Sequence, residues 1–423
     1  MKSYDAVIVG GGISGLLSAL VLSKHGKSVC VLEKNKIGGV YRSYDVEGDS
    51  GFYRVDTGPH IVTRLHRGPF KTLMDSYIDN PPQFVHHGDY YVRLGGRLEK
   101  LPWALKDFLT YDIISLRDRL SLLSCFPRIF FTENTISVFD FIAPYDLSGN
   151  SQRLIDAFCY FLTGLSSRET PIARIADSQK YKDDSRNVFL KMKNSLFSGR
   201  VPDQYYPHGG IQTIPDAILQ GFQGDTFEGE QYEVVEIAKD GSGVRTREDE
   251  FECDFVVYSG FAKDLPGLLD LSEDYVRMVS RLKSVESLSM WVGLREKLFP
   301  HIGSEVWIDT SNYCWAVPTS NYDSTLAPSG CQLVGFAFIE TDERGAQKTF
   351  YEVFPDANVD MVHFQHLIPE KAAWSLEEFP GTKPPSENVF LVGTDTEKKS
   401  MGLTRASYSV LNLIEVLKSE GRI

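Results

Sequence analysis

Residues 4–15 read Tyr4-Asp5-Ala6-Val7-Ile8-Val9-Gly10-Gly11-Gly12-Ile13-Ser14-Gly15. An apolar run ending in three glycines is a buried strand delivered straight into a tight turn. Beyond the turn, Ile13, Leu16, Leu17, Leu20 and Val21 recur at the spacing of one helix face. His25-Gly26 stops that helix, residues 28–32 read as a second strand, and Glu33 stands at its end. Each part has a physical task. Gly10 permits the turn, Gly12 lets backbone approach a pyrophosphate, and Gly15 lets helix pack closely on strand. The free N–H groups where the helix opens at Ile13 and Ser14, with the helix dipole, offset phosphate charge. Glu33, 18 positions after Gly15, is placed to accept hydrogen bonds from ribose hydroxyls, and its charge repels a 2′-phosphate. Strand, glycines, helix, second strand and terminal acid in register predict a dinucleotide-binding βαβ unit rather than an ordinary glycine turn.

The 423 residues are long for a single core, so two domains are expected. With 42% hydrophobic and 24% charged residues the composition is that of a globular protein. A formal net charge of −13 argues against nucleic acid as a partner, because phosphate binding needs a positive field. The six cysteines (Cys30, Cys125, Cys159, Cys253, Cys314, Cys331) contain no CxxC pair, so buried free thiols in a reducing compartment are expected. Met1-Lys2-Ser3 runs directly into the first strand without a signal peptide, and no stretch approaches 18 uninterrupted apolar residues. A cytoplasmic protein is the expectation.

The glycine turn alone does not distinguish FAD from NAD. Behind Glu33 comes Lys34-Asn35-Lys36-Ile37-Gly38-Gly39, and further on Asp56-Thr57-Gly58-Pro59-His60. Residues 206–217 read YPHGGIQTIPDA and 322–330 read YDSTLAPSG. Residues 232–237, Asp240-Gly241 and 253–257 suggest a small strand layer returning to the sheet. Near the end stand 388–395, NVFLVGTD, and Met401-Gly402-Leu403-Thr404-Arg405-Ala406, opening a helix with an apolar stripe of Leu403, Ala406, Val410, Leu413, Ile414 and Leu417.

In these blocks, taken in order along most of its length, the chain resembles the FAD-dependent amine oxidase-like superfamily, in particular its phytoene desaturase and protoporphyrinogen oxidase-like branch. The resemblance implies an α/β fold: a Rossmann-like FAD-binding domain of glutathione reductase-like, GR2 type, with a mixed α+β substrate domain. It implies non-covalent FAD, because no cysteine lies between Gly393 and Arg405, where some relatives attach flavin. Lys34 is grouped with Glu33 at the nucleotide, Gly38 and Gly39 border the ribityl and pyrophosphate path, and the backbone of Val234 meets the adenine. Gly393 lies near the pyrophosphate, and Gly402, Leu403 and Thr404 lie by the pyrimidine edge of the ring, where a helix N-terminus suits reduced flavin. Gly58, Pro59 and His60 stand by the flavin. Two departures are visible. Thr394 stands where the family usually has an acid, leaving Asp395 as the candidate for the ribityl contact, and Ser259-Gly260 replaces a short Asn/Ala-Asp-Pro turn.

The expected FAD-binding domain is discontinuous, taking residues 1–62, 204–285 and 384–423, with 63–203 and 286–383 forming the substrate domain. In the latter, 101–131 reads as an aromatic-rich helical region broken at Pro127, and 152–165 as another helix. Residues 287–294, 305–308, 314–318 and 332–340 read as strands, and 355–368 and 370–379 as helical. Helices on one face of an antiparallel sheet make a workable second layer.

Several residues admit two readings. His60 is either a substrate or flavin contact, the one low-grade catalytic candidate, or a histidine held in a turn. Arg64, His66 and Arg67 form either a cationic rim for a carboxylate or diphosphate, or a solvated basic turn. Arg42 either approaches the pyrophosphate or lies on the surface. His363 and His366 share a face if helical, but lack a third ligand, so no metal site is expected. His86-His87 reads as a loop with diverging side chains. Trp103, Phe108, Phe126, Phe130, Phe131, Phe158, Tyr160 and Phe161 suit either core or an apolar tunnel. The 101–131 region is also a candidate for peripheral membrane contact, weakened by Asp107, Asp112, Arg117, Asp118 and Arg119.

The resemblance implies an FAD-dependent dehydrogenase, desaturase or oxidase passing hydride from an apolar isoprenoid or tetrapyrrole-like substrate to flavin N5. Without a second nucleotide fingerprint, electrons leave to oxygen, a quinone or another external acceptor. Two alternatives come from the same resemblance. UDP-galactopyranose mutase also carries a Gly-Pro-His turn, but no uridine-stacking motif is recognisable here. Rab GDP dissociation inhibitors hold prenylated partners without needing the intact glycines and Glu33 found in this chain.

Overall fold

The computed structural model describes residues 2–102, 105–129, 132, 136–175 and 203–423. At its centre β1 (Lys2–Val9) lies parallel to β2 (Val29–Glu33) on one side and to the strand Glu250–Tyr258 on the other. Ala6, Val7 and Ile8 are fully buried, as a strand covered on both faces requires. Asp225–Glu228 extends the sheet beyond β2, and Val389–Leu391 runs parallel to the end of Glu250–Tyr258. The antiparallel strands Gly243–Thr246 and Val234–Ile237 complete it. Helix α1 (Ile13–Lys24) returns between β1 and β2, and its apolar stripe meets that of the terminal helix Gly402–Ser419. Leu16, Leu17 and Leu20 thereby share one core with Leu403, Ala406, Val410 and Ile414.

The second sheet has seven strands in the order Val359–Glu370, Val285–Leu294, Gln332–Phe338, Cys314–Val317, Gly303–Trp307, Asp89–Leu94, Arg97–Lys100. It is not wholly antiparallel as expected: Gly303–Trp307 and Asp89–Leu94 run parallel. One face buries Phe299, Trp307, Phe336, Phe338 and Phe350, with Trp307 and Phe336 ring centroids 5.4 Å apart near edge-to-face. Helix Glu343–Val353 covers them, its first turn capped by Asp342, which accepts from Gly345 N at 2.7 Å.

Three expectations are corrected. Residues 355–368 are not helical; Val359–Glu370 is a twelve-residue strand paired along Val285–Leu294, and 370–379 contains no helix. Val359, Val362 and Phe364 suit a strand, and pairing to an already buried neighbour overrides the helical spacing read from the sequence. His363 and His366 therefore point to opposite faces, removing the shared face a metal would need. His363 instead meets Tyr44 (Nε2 to Oη 2.8 Å), and His366 lies 3.6 Å from Glu343. Pro127 does not break the 101–131 helix either: it sits in the last turn of Leu116–Ile129. The break precedes this helix, where Ser115 starts a new cap by accepting from Asp118 N, after Leu105–Thr110 has ended. The loop expected at His86-His87 holds only for His87. His86 ends the strand Phe84–His86, while His87, in the connection that follows, is fully buried and meets Ser304 Oγ at 2.6 Å.

The layers are tied at Asp360, whose carboxylate accepts from Ser50 N, Ser50 Oγ, Tyr53 Oη and Arg295 Nε. Burial alone would raise this carboxyl, but the donors outweigh it and hold it at about 2. The contribution of Asp360 to stability is full above its ordinary value near 4 and is lost as pH falls towards 2. In acid titrations followed by circular dichroism, Asp360→Asn should be less stable than the parent at neutral pH and should lose part of the acid-induced decline.

Candidate functional site

A cavity of about 1770 Å³ opens at the carboxyl ends of the parallel strands, lined there by Val9, Leu32, Glu33 and Tyr258. The turn after β1 shapes this end. Gly10 has φ +102°, in the left-handed region, and donates its N–H to Leu32 O at 2.8 Å. A Cβ on Gly15 would lie 2.0 Å from Gly10 O, so only glycine lets α1 pack onto the turn. Gly12 precedes the first turn of α1 with no side-chain cap, and a Cβ there would meet nothing within 4 Å. The helix N-terminus, without a side-chain cap, thus opens onto the cavity that Gly12, Ile13 and Ser14 line. Glu33 is pinned at the rim: Oε2 accepts from Gly11 N and Oε1 from Asn35 N, both at 2.7 Å. A carboxylate has further lone pairs, and Glu33 still faces the cavity. This cradle fits the pyrophosphate and ribose of a dinucleotide.

Of the other residues picked out from the sequence, Gly10, Gly12, Ile13, Ser14, Glu33, Lys34, Gly39, Gly58, Pro59, His60, Val234, Gly402, Leu403 and Thr404 line this same cavity. Five do not. Gly15 acts through packing, and Gly38 donates its N–H to Gly11 O at 2.8 Å, bracing the turn from behind. Arg42 directs Nε to Gly39 O at 3.0 Å, behind a residue that lines the cavity. Gly393 lies behind the Lys371 ammonium, 2.9 Å from where its Cβ would be. Asp395 accepts from Ala262 N at 2.6 Å with its side chain buried and does not line the cavity, whereas Thr394 does.

His60 is held in its turn and also faces the cavity. It lines the cavity, stacks on Tyr41 with centroids 4.9 Å apart, and its Nε2 bonds Thr57 O at 2.7 Å. Burial, opposed by the Asp56 charge, lowers its pKa, leaving a neutral ring at neutral pH. The end of the terminal helix is less free than the sequence suggests. Gly402 N donates to the Glu370 carboxylate, whose other oxygen is buried without a hydrogen bond and lies 3.3 Å from Arg405 Nη1. Burial pushes this carboxyl up, with Arg405 opposing. A carboxyl group of the chain itself therefore already caps this helix end. Arg64, His66 and Arg67 border the cavity, so the basic turn is part of its rim, and Arg64 donates to Tyr408 Oη at 2.5 Å.

Glu370 and Lys371 are functional candidates that sequence reasoning missed. They fall in a segment read as helical, and only the strand register shows that the chain emerges there into the cavity. The far half of the cavity is apolar, walled by Phe158, Phe161, Val306, Trp315, Ala337 and Leu367, with Tyr160 beside them. Phe108 does not line the cavity but packs in the core cluster that holds Val306, Phe158, Phe161 and Trp315. Trp103, Phe130, Phe131 and the side chain of Phe126 lie outside the described residues.

The family described as NAD(P)-binding Rossmann-like domain matches residues 8–77. An uncharacterized protein from Methanothermococcus thermolithotrophicus is 47% identical over 104 residues, 25% of this chain and 97% of that protein. An inactive all-trans-retinol 13,14-reductase of Danio rerio is 34% identical over 252 residues, 52% of this chain. That match spans only 39% of the zebrafish protein's length. Among solved structures, an oxidoreductase from Methanosarcina mazei superposes with a TM-score of 0.79 at 20% identity, covering 98% of this chain and 100% of that one. Cyclohexylamine oxidase from Brevibacterium oxydans superposes with a TM-score of 0.67 at 15% identity, covering 98% and 99%. Residues 8–77 thus carry an NAD(P)-binding Rossmann-like domain, in agreement with the dinucleotide cradle, and the chain shares its two-layer fold with these solved oxidoreductases.

Proposed function

We propose that the chain is an oxidoreductase that binds FAD non-covalently and moves hydride between flavin N5 and a long apolar substrate of isoprenoid character. The supporting observation is continuity: one cavity joins the glycine turn and Glu33 to the apolar wall of Phe161, Val306, Trp315 and Leu367. FAD, when bound, supplies the hydride acceptor. The chain's own part is placement and dryness. Phe158, Phe161 and Trp315 exclude water and hold an apolar chain in one orientation. Gly58 N donates to Gln365 Oε1 at 2.9 Å, fixing the turn that carries His60. His60, neutral and bonded to Thr57 O, orients rather than carries a proton. Electrons pass to an external acceptor, oxygen or a quinone. Leu109, Leu116 and Leu120 are exposed on the helices Leu105–Thr110 and Leu116–Ile129, and support peripheral membrane contact; vesicle flotation tests this. Among the described residues no helix is long and apolar enough to cross a membrane.

The purified protein should show flavin absorption bands that leave with the cofactor on acid precipitation; no such bands and no uptake of added FAD would end this reading. Ala337→Trp fills the apolar end and should keep the flavin spectrum while lowering kcat/KM on a polyene by about tenfold or more. If turnover is retained for a porphyrinogen and absent for every polyene, the substrate is a tetrapyrrole. The glycines separate stability from binding. Gly15→Ala should destabilise the protein by roughly 1–3 kcal/mol in urea unfolding, because the added methyl meets Gly10 O. Gly12→Ala should unfold like the parent without cofactor, yet bind FAD about tenfold more weakly or worse.

A further inference from the structure

Lys371 follows the last residue of the strand Val359–Glu370, where the chain leaves the second sheet and enters the cavity. Its backbone N–H donates to Thr394 Oγ at 3.0 Å. Its ammonium donates to the carbonyls of Ser259 and Gly260, the latter at 2.8 Å. Those carbonyls belong to the loop that backs the glycine turn: a Cβ on Gly10 would lie 3.3 Å from Ser259 O. On its other side, a Cβ on Gly393 would lie 2.9 Å from Nζ. The ammonium therefore fills the gap between the opening turn and the loop that precedes the terminal helix.

Two features say that this position needs charge, not merely a tie between loops. An ammonium has three N–H groups; two bond these carbonyls, and one remains for the cavity that Lys371 lines. The charges facing it are Asp395, Glu33 and Asp264, with burial disfavouring the cation. A hydrogen-bonding amide would serve the two carbonyls without that burial cost. Two other basic groups nearby are held within the chain: Arg405 by the Ala372, Thr394 and Ser400 carbonyls, and Lys34 by Glu233 at 3.0 Å. Arg42 spends its Nε on Gly39 O and does not line the cavity. The turn offers only N–H dipoles to a group carrying a negative charge on each phosphate.

We infer that Lys371 is the cationic partner of the cofactor's pyrophosphate, reaching it from the substrate sheet with the N–H that Ser259 and Gly260 leave over. This rests on the FAD reading above and adds to it a binding residue outside the nucleotide motif. Ionic pairing of this kind weakens with salt, whereas stacking and apolar contacts do not.

The test uses the full chain freed of cofactor, with flavin fluorescence quenching by titration at low and high salt. FAD carries the pyrophosphate and riboflavin does not. Lys371→Met should bind FAD about tenfold more weakly or worse and lose most of the salt dependence, with riboflavin affinity within about twofold of the parent. Lys371→Arg should restore FAD binding and its salt dependence. If Lys371→Met does not fold, Lys371→Gln keeps an amide for the carbonyls without charge, and carries the same comparison. Equal loss of both ligands would make Lys371 a structural tie, and an unchanged FAD affinity would remove it from the site; either overturns the inference alone. A parent protein that binds neither ligand overturns the FAD reading itself.

Discussion

Arg405 is the constraint on which the site's far end depends. Its guanidinium is almost wholly buried, so each of its N–H groups has to find an acceptor within the protein. Nη1 donates to Ala372 O and Thr394 O, Nε and Nη2 donate to Ser400 O, and Glu370 stands 3.3 Å away. One side chain thereby joins the exit of the long edge strand, the loop after Val389–Leu391 and the first turn of the last helix. Removing it would leave Glu370 as a buried carboxylate held by one backbone N–H, a costly state in a low dielectric. The cavity's shape at Gly402 follows from satisfying this cation.

A second hub works at the near side. Asp56, fully buried at the end of Gly51–Asp56, accepts from Ser43 Oγ, Tyr206 Oη and Ile211 N. It fixes the Thr57-Gly58-Pro59-His60 turn against residues 206–217, two tracts far apart in sequence. Each wall of the cavity is thus located by a buried charge whose partners come from distant segments, while the apolar surfaces supply the bulk of the packing. Burial sets how tightly the layers hold, and the hubs set where the loops stand.

The nucleotide half was readable because its cues are local. Gly10, Gly12 and Gly15 state backbone requirements that no other residue meets, and Glu33 follows at a distance fixed by one helix and one strand. The strands of the second sheet were readable from β-branched and aromatic runs to within a few residues. What escaped depends on partners. The segment 359–370 carries apolar residues at spacings compatible with either a helix or a strand, and only its pairing with Val285–Leu294 decides between them. Nothing local reveals that Asp395, near Gly393, is buried against Ala262 N while Thr394 faces the cavity. Glu370, Lys371 and Arg405 form no motif, since their meeting is a product of the two layers closing on each other.

The pairing of β1 with Glu250–Tyr258 also governs how this molecule is made. Lys2 sits opposite Phe251 and Val9 opposite Tyr258, so β1 leaves the ribosome with one hydrogen-bonding edge bare until the strand Glu250–Tyr258 has emerged. The apolar stripe of α1 waits longer still, for the helix Gly402–Ser419. Such long-range parallel closure is slow and leaves a sticky ribbon in the nascent chain, which makes vectorial synthesis, rather than final stability, the stage at which this protein most needs protection from aggregation.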